Sequence, residues 1–428
     1  MRAVSEPGAL PQQNPQWWRK PWVAMACAAF TLRIALILLH RSYHFPAENQ
    51  HFSFGLETGS IARALAAGEG YSSPFKGHTG PTAWLAPLYP AMVALVFKLY
   101  GTFSDLSGFV VLALNSLFAA LTCAPLYHVA RRTVGRTTAL WAGWLWALVP
   151  HLAKWPTEWV WETSLSALLV ALAYWLTLLL ADDTTEAARR ARWLWFGVLW
   201  GVILLTNPVL ATFLPFSLAW LWCREERRGL LRGVLLAGAV AFVMIAPWLV
   251  RNRVVMGHWL FLRDNFGFEF HLGNYHGSFG MGWGGLHPSA NAIEFDRYVR
   301  LGELEYVATH QREAFEFVRQ YPSEFAELCA KRFAAFWDGS DLLVAFHPAP
   351  WTPPLFFGFS LAAGFGLLWA FAQRVRGAAL FAWIVVYPLP YYITYPQPRY
   401  RHPVEPEMLL LACFLVVNMA QRARDRAA

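Results

Sequence analysis

Long apolar runs separated by short basic or polar stretches make up most of the chain. The first, 22–40, follows Trp17-Trp18-Arg19-Lys20 and ends in Arg-Ser-Tyr-His. A secretory signal would have a shorter apolar core and a small-residue cleavage site, so this run reads as an uncleaved spanning helix. Runs of spanning or near-spanning length recur at about 107–130, 137–153, 159–181, 193–206, 208–222, 230–249, 353–372, 377–395 and 404–420. The pattern predicts an all-α polytopic membrane protein of about ten spans.

A shorter run, Ala86 to Tyr100, carries Pro87, Pro90 and Lys98, and whether it crosses decides the topology of everything after it. If it does not cross, one side of the membrane receives Arg131/Arg132/Arg136, Arg189/Arg190/Arg192, Arg224/Arg227/Arg228/Arg232, Arg374/Arg376 and Arg422/Arg424/Arg426. With Arg2, Arg19 and Lys20, that puts about half of the 35 basic residues in short loops on one side, as the positive-inside tendency requires. The run is therefore assigned to an outer juxtamembrane or re-entrant helix, and both termini to the cytoplasm. The expected organisation is a cytoplasmic tail, 1–21, and a membrane module, 22–250, that includes an outer loop, 41–106. An extracytoplasmic loop domain, 251–350, and C-terminal helices with a cytoplasmic tail, 351–428, complete it. The loop domain opens on a Gly-rich stretch, 272–285, that lacks the order of a phosphate loop. Beyond it, 294–337 predicts two or three amphipathic helices, broken at Tyr321-Pro322-Ser323-Glu324.

Composition supports the membrane reading. Charged residues are 14% of the chain, against roughly 25% in soluble domains, and 57% are hydrophobic. That balance excludes a soluble enzyme and a disordered chain. The net charge of +8 comes from bases clustered between apolar runs, which points to membrane lipids and away from nucleic acid. The 23 Trp, 32 Phe and 15 Tyr suit interfacial belts and a lipid or sugar ligand. The five cysteines have no paired spacing and read as small apolar fillers.

Candidate chemistry gathers in the outer segments. A transporter would place ionisable groups at mid-membrane, where only Arg33 and Asn207-Pro208 offer themselves, and the latter reads as a tight turn. In the first outer loop Glu57 opens a short helix, 57–67, either as a stabilising N-terminal acid or as a carboxylate able to deprotonate an acceptor. Glu158 and Glu162 lie one helical turn apart in the next outer loop, beside Trp anchors. The last outer loop, Tyr395 to Glu405, carries Arg399, Arg401 and His402 against the positive-inside tendency, and prolines 396, 398 and 403 stiffen it. Basic groups there suggest an anionic ligand, since arginine can take two phosphate oxygens at once; otherwise they pair with Glu405, Glu407 or headgroups. His271, His276 and His287, with Asp264 and Glu269, lack metal-ligand spacing, so no metal is expected.

Taken together, "IARALAAGEGYSSPF" (61–75) followed by "GPTAWLAPLYPAMVALVFKLYG" (80–101) resembles the N-terminal part of polyprenyl-phosphate-sugar-dependent glycosyltransferases of the GT-C superfamily. The likeness is to bacterial relatives of the dolichyl-phosphate-mannose–protein mannosyltransferases and the aminoarabinose transferases. "HPSAN" (287–291) and "YPQPRYRHPVEP" (395–406) also look like elements of bacterial members. The resemblance implies a GT-C-like helical bundle with outer juxtamembrane helices and a small, mostly helical outer loop domain. It implies transfer of a sugar from a polyprenyl-phosphate donor to an envelope acceptor at the outer face of a bacterial plasma membrane, with inversion. Glu57 would be the base, with Glu48 the next candidate, since the acidic pair usual ahead of "IA" is absent. Glu158 or Glu162 would orient the acceptor or donor. Arg399 or Arg401, helped by His402, Lys76 and His78, would bind the lipid phosphate. No cofactor is required beyond the lipid-linked donor. The rival reading is a transporter or flippase of a lipid-linked sugar, which would need no base.

Overall fold

The computed structural model describes residues 20–45, 54–182, 184–224, 227–278, 280, 284–339 and 352–427 of the chain. The helices are α1 (Pro21–His40), α2 (Glu57–Ala66), α3 (Leu88–Tyr100), α4 (Asp105–Leu121), α5 (Cys123–Thr133), α6 (Arg136–Leu148) and α7 (Pro150–Glu158). They continue with α8 (Thr163–Leu180), α9 (Glu186–Thr206), α10 (Leu214–Trp222), α11 (Arg227–Met256), α12 (Phe266–Gly273), α13 (Ala292–Leu301), α14 (Glu303–Gln320) and α15 (Pro322–Asp338). The last are α16 (Thr352–Ala372), the short α17 (Ala378–Phe381), α18 (Trp383–Val386) and α19 (Leu389–Ile393), and α20 (Glu405–Ala427).

Among the described residues, six helices are long and apolar enough to cross a membrane. They are Pro21–His40, Asp105–Thr133, Thr163–Leu180, Gly229–Met256, Pro354–Ala372 and Pro398–Arg426. With α6, α9 and the shorter apolar segments Pro208–Trp222 and Ala378–Ile393, they form an all-helical, multi-pass membrane bundle. α3 has 13 residues, so at about 1.5 Å per residue it falls short of a bilayer core of about 30 Å. It packs along α2 and α4 instead, as a juxtamembrane helix does.

Mid-membrane polarity serves the backbone. Pro150 interrupts the chain between α6 and α7 and leaves helix-terminal carbonyls without partners. Arg33, wholly buried on α1, donates to the carbonyls of Trp146 (3.0 Å) and Ala147 (3.1 Å). No carboxylate is needed to hold it there. Asn207 caps the 3-10 turn that begins at Pro208, accepting from the Val209 N–H.

The two ends of the bundle differ. At one, Asp182 after α8 gathers Arg132 from the end of α5 and Arg376 from beyond α16 (2.7 Å). The basic clusters at 131–136 and 374–376 therefore share that end. The other end is built from the two long loop segments, which are sewn together by polar contacts. Glu303 accepts from Thr82 Oγ1, from the Ala83 N–H at 2.6 Å and from the Tyr298 hydroxyl at 2.9 Å. Arg251 donates to the Thr82 carbonyl at 2.7 Å. Phe75, Trp84, Phe268, Tyr298 and Tyr306 form a second, aromatic core beneath α13 and α14. The three amphipathic helices α13–α15 stand where the apolar spacing placed them, with the break at Tyr321-Pro322.

Candidate active site

Glu57 sits at the first position of α2, at the loop-rich end of the bundle. Two backbone features put it there. Leu56, just before it, has φ +33°, a strained value for a residue with a side chain, and Gly55 has φ +79°. A Cβ on Gly55 would lie 2.3 Å from the Val160 carbonyl, so only glycine lets the first loop press this closely on the segment leading to Glu162.

The Glu57 side chain is 9% exposed, and its Oε1 lies 3.0 Å from His287 Nε2. The Ser289 N–H donates to His287 Nδ1 at 3.2 Å. Nδ1 therefore carries the lone pair, and Nε2 carries the hydrogen that Glu57 accepts. Phe75 and Phe268 pack edge-on against the ring, at 5.4 and 5.5 Å between centroids. Burial by itself would push the Glu57 carboxyl up. The His287 hydrogen bond, with a backbone hydrogen bond at the helix start and the charge of Arg399, outweighs it and holds the group below the usual carboxylate value.

Two further carboxylates surround Glu57. Glu162, at the start of α8, is pushed up by burial and by the charge of Glu57, while Arg263 and Arg399 pull it down. Glu269 on α12 is also pushed up by burial, tempered by Arg263 and the Tyr395 hydroxyl. Tyr395 donates to Glu269 Oε2 at 2.5 Å, and Asn265 Nδ2 donates to Oε1 at 2.7 Å. Asn265 in turn accepts from Arg263 Nε at 2.6 Å. Arg399 lies flat over Trp161, 3.8 Å from the ring centroid, and near Tyr400 at 5.1 Å. The site thus combines one carboxylate held ionised, two whose protons are held more tightly, and two guanidinium groups. Pushing neighbouring carboxyls in opposite directions divides acid and base roles among like residues.

The residues expected from sequence divide as follows. Glu57, Glu162 and Arg399 come together. Glu158 does not join them: it lies towards Lys154 and His40 at the end of α1. Lys76 is exposed, and His78 pairs with Glu69 at 3.1 Å on the surface. Arg399 and Arg401, expected as alternative phosphate ligands, point to different places. Residues 398–404 form a 3-10 helix, in which positions two apart face different ways. Arg401 turns into the bundle, donating to Glu405 Oε1 (3.2 Å), Ser360 Oγ (2.9 Å) and the Phe356 carbonyl (3.3 Å). His402 shares Glu405 at 2.8 Å and stacks on Trp146. Both are wholly buried and tie the bundle together. Glu48 lies outside the described residues. Arg263, Tyr395 and the role of His287 were missed. The Ser289 backbone contact and the aromatic walls that make His287 a partner of Glu57 bring together distant segments.

Residues 84–250 match the family profile described as dolichyl-phosphate-mannose-protein mannosyltransferase. No curated protein matches the chain. Among solved structures, one similar fold is the oligosaccharyltransferase AglB of Archaeoglobus fulgidus with an inhibitory peptide and a dolichol-phosphate. It has 14% identity and a TM-score of 0.52, and the match covers 96% of this chain and 52% of that one. A second structure from Archaeoglobus fulgidus, an oligosaccharyltransferase complex with Zn and sulfate, has 14% identity and a TM-score of 0.53, over 95% and 50% of the two chains. ArnT of Cupriavidus metallidurans bound to undecaprenyl phosphate matches more loosely, with 14% identity and a TM-score of 0.41 over 95% and 79%. The chain spans about half the length of the oligosaccharyltransferase structures it matches. The profile match begins inside the second of the N-terminal motifs, and the expected multi-pass helical bundle is a fold shared with the two archaeal structures.

Proposed function

We propose that the protein is a membrane glycosyltransferase that moves one sugar from a polyprenyl-monophosphate donor to an acceptor at the outer face of a bacterial plasma membrane. The observation that carries this reading is Glu57: a buried carboxylate kept ionised by His287 and placed within the field of Arg399. A flippase needs no such base. Both nitrogens of His287 are engaged, so His287 positions the carboxylate and Glu57 takes the proton.

The step is a single displacement. The acceptor oxygen or nitrogen attacks the anomeric carbon, and its proton passes to Glu57. The bond from that carbon to the phosphate oxygen breaks, and the electron pair leaves with the lipid phosphate. Arg399, with Arg263 across the cluster, stabilises the charge that develops there. Attack opposite the leaving phosphate inverts the anomeric centre. Glu162 and Glu269, whose carboxyls burial pushes up, border the same cluster and line the place where the sugar would sit. The prenyl tail lies in the bilayer against the bundle, which is why the enzyme needs so many helices. In this reading 22–250 and 351–428 form the membrane module, and the outer segments 41–106 and 251–350 close over the site.

The test uses purified protein in detergent with a polyprenyl-phosphate sugar. Transfer by the wild type that is lost in Glu57→Gln supports the assignment. Lipid movement across a vesicle without any transfer would favour the flippase instead. Reporter fusions at Arg190 and at the C-terminus should read cytoplasm, and one near Ser289 should read outside. An external signal at Arg190 would reverse the topology.

A further inference from the structure

The three loop histidines grouped in the sequence separate in the fold. His287 serves Glu57, and His276 pairs with Glu324 at 3.2 Å on the surface. His271 goes elsewhere. It lies on α12 and faces His310 on α14, with 4.7 Å between ring centroids. Glu313 lies one turn beyond His310 on the same helix, and the ligand atoms of these three residues are all within 4.8 Å of one another.

The hydrogen bonding is unfinished in a way that points to a cation. His310 is 2% exposed, and its Nδ1 lies 2.8 Å from the Tyr306 carbonyl, an acceptor only. Nδ1 must therefore carry the hydrogen, and in the neutral ring Nε2 presents a lone pair. That lone pair lies 3.3 Å from Glu294 Oε2, itself an acceptor. A positive centre between the two atoms, a proton or a metal ion, resolves this facing pair, and the third and fourth groups nearby favour the ion. His271 is in a similar position. Its Nδ1 is buried with no hydrogen-bond partner among the described residues, and its Nε2 is 3.9 Å from Glu313 Oε2, beyond hydrogen-bonding length.

We infer that His271, His310 and Glu313, with Glu294 as fourth ligand, form a zinc site that joins α12 to α14. Two imidazoles and two carboxylates suit zinc rather than calcium or magnesium, which prefer all-oxygen shells. Ligands about 2.0–2.1 Å from a tetrahedral zinc lie about 3.3 Å apart, close to the separation already present between His310 and Glu294. His271, His310 and Glu313 already lie together, and Glu294, next to His310, would move in to close the site as a structural one. The Tyr306 carbonyl fixes the His310 ring, and the Tyr306 hydroxyl donates to Glu294 at 3.0 Å, as outer partners of a metal site do. Arg297 donates to Glu313 at 2.5 Å and lies 3.7 Å from Glu294, so it supplies the counter-charge that a metal would take over. Because Glu269 is on the same short helix as His271, the ion would hold α12 in register beside Glu57. The inference stands apart from the proposed transfer reaction.

The test is cobalt titration of full-length, detergent-solubilised protein after chelation and dialysis, read by the visible absorption of tetrahedral cobalt, with zinc content measured by mass spectrometry. The expected result is one equivalent, bound about 10- to 100-fold more weakly after His271→Ala or Glu313→Gln. Glu57→Gln and His287→Ala should retain the spectrum. Glu313 lies at a half-exposed position, so Glu313→Gln decides the matter if His271→Ala does not fold. No tetrahedral absorption, a spectrum that survives Glu313→Gln, or one lost in Glu57→Gln would overturn the assignment.

Discussion

Two clusters in this molecule contain the same three residue types. At the loop-rich end, Glu57, His287 and Arg399 meet from three distant segments. Inside the bundle, Glu405, His402 and Arg401 meet within little more than one turn of chain. In the inner cluster the protein supplies its own partners: both oxygens of Glu405 are taken, and Arg401 also binds Ser360 and the Phe356 carbonyl. In the outer one, Arg399 is stacked on Trp161 and has no short contact with a carboxylate among the described residues. Its charge acts on Glu57 and Glu162 from a distance, which leaves its donors for a ligand. The composition of a cluster therefore says little about its task. What decides it is whether the surrounding protein already pairs the carboxylate directly with its arginine, as it does for Glu405 and Arg401.

The comparison breaks most readily at Glu57. Glu57→Gln should lower sugar transfer by about a thousand-fold, within the usual range for a removed general base, while leaving the chromatographic profile of the protein unchanged. Transfer at the wild-type rate would return Glu57 to the role of a helix N-terminal acid. Arg401→Ala should act on stability instead. It leaves Glu405 buried without its guanidinium partner, a loss of about 3–5 kcal/mol that thermal unfolding in detergent would register. Arg399→Ala should leave that transition within about 1 kcal/mol of the wild type. If the two arginines exchanged these effects, the division drawn here would fall.

Finer tests sharpen the outer cluster alone. Arg399→Lys keeps the charge but loses the planar fork and the stacking on Trp161, so turnover should drop about ten-fold with weaker donor binding. His287→Ala should change the pH dependence more than the maximum rate. Glu57 is active when ionised, and the His287 hydrogen bond is the largest of the contributions that hold its carboxyl below the usual value against burial. Without His287, burial dominates and the carboxyl rises, so the acid limb of the pH–rate profile should move to higher pH. An unmoved limb would mean that another group sets it.

Much of this was legible in the residues themselves. The spans, the helix opening at Glu57, the juxtamembrane run 88–100 and the three amphipathic helices beyond residue 292 follow from periodicity, capping and proline placement, which are local in the chain. In the 395–405 loop, Arg399 reaches the Glu57 cluster, whereas Arg401 and His402 are buried against Glu405. Charge counting along a sequence cannot tell which face of a 3-10 turn each residue takes, and here that rotation separates the arginine at the Glu57 cluster from the one buried inside the bundle. The same limit hid the partners of the three loop histidines, since each is met by a residue 39 or more positions away, such as His310 for His271 or Glu57 for His287. Hydropathy and local propensity act over a few residues, and so the chain alone specifies the bundle and the candidate base. Which charges stay buried among their own partners, and which remain available to a substrate, depends on long-range packing that brings loop segments together at one end of that bundle.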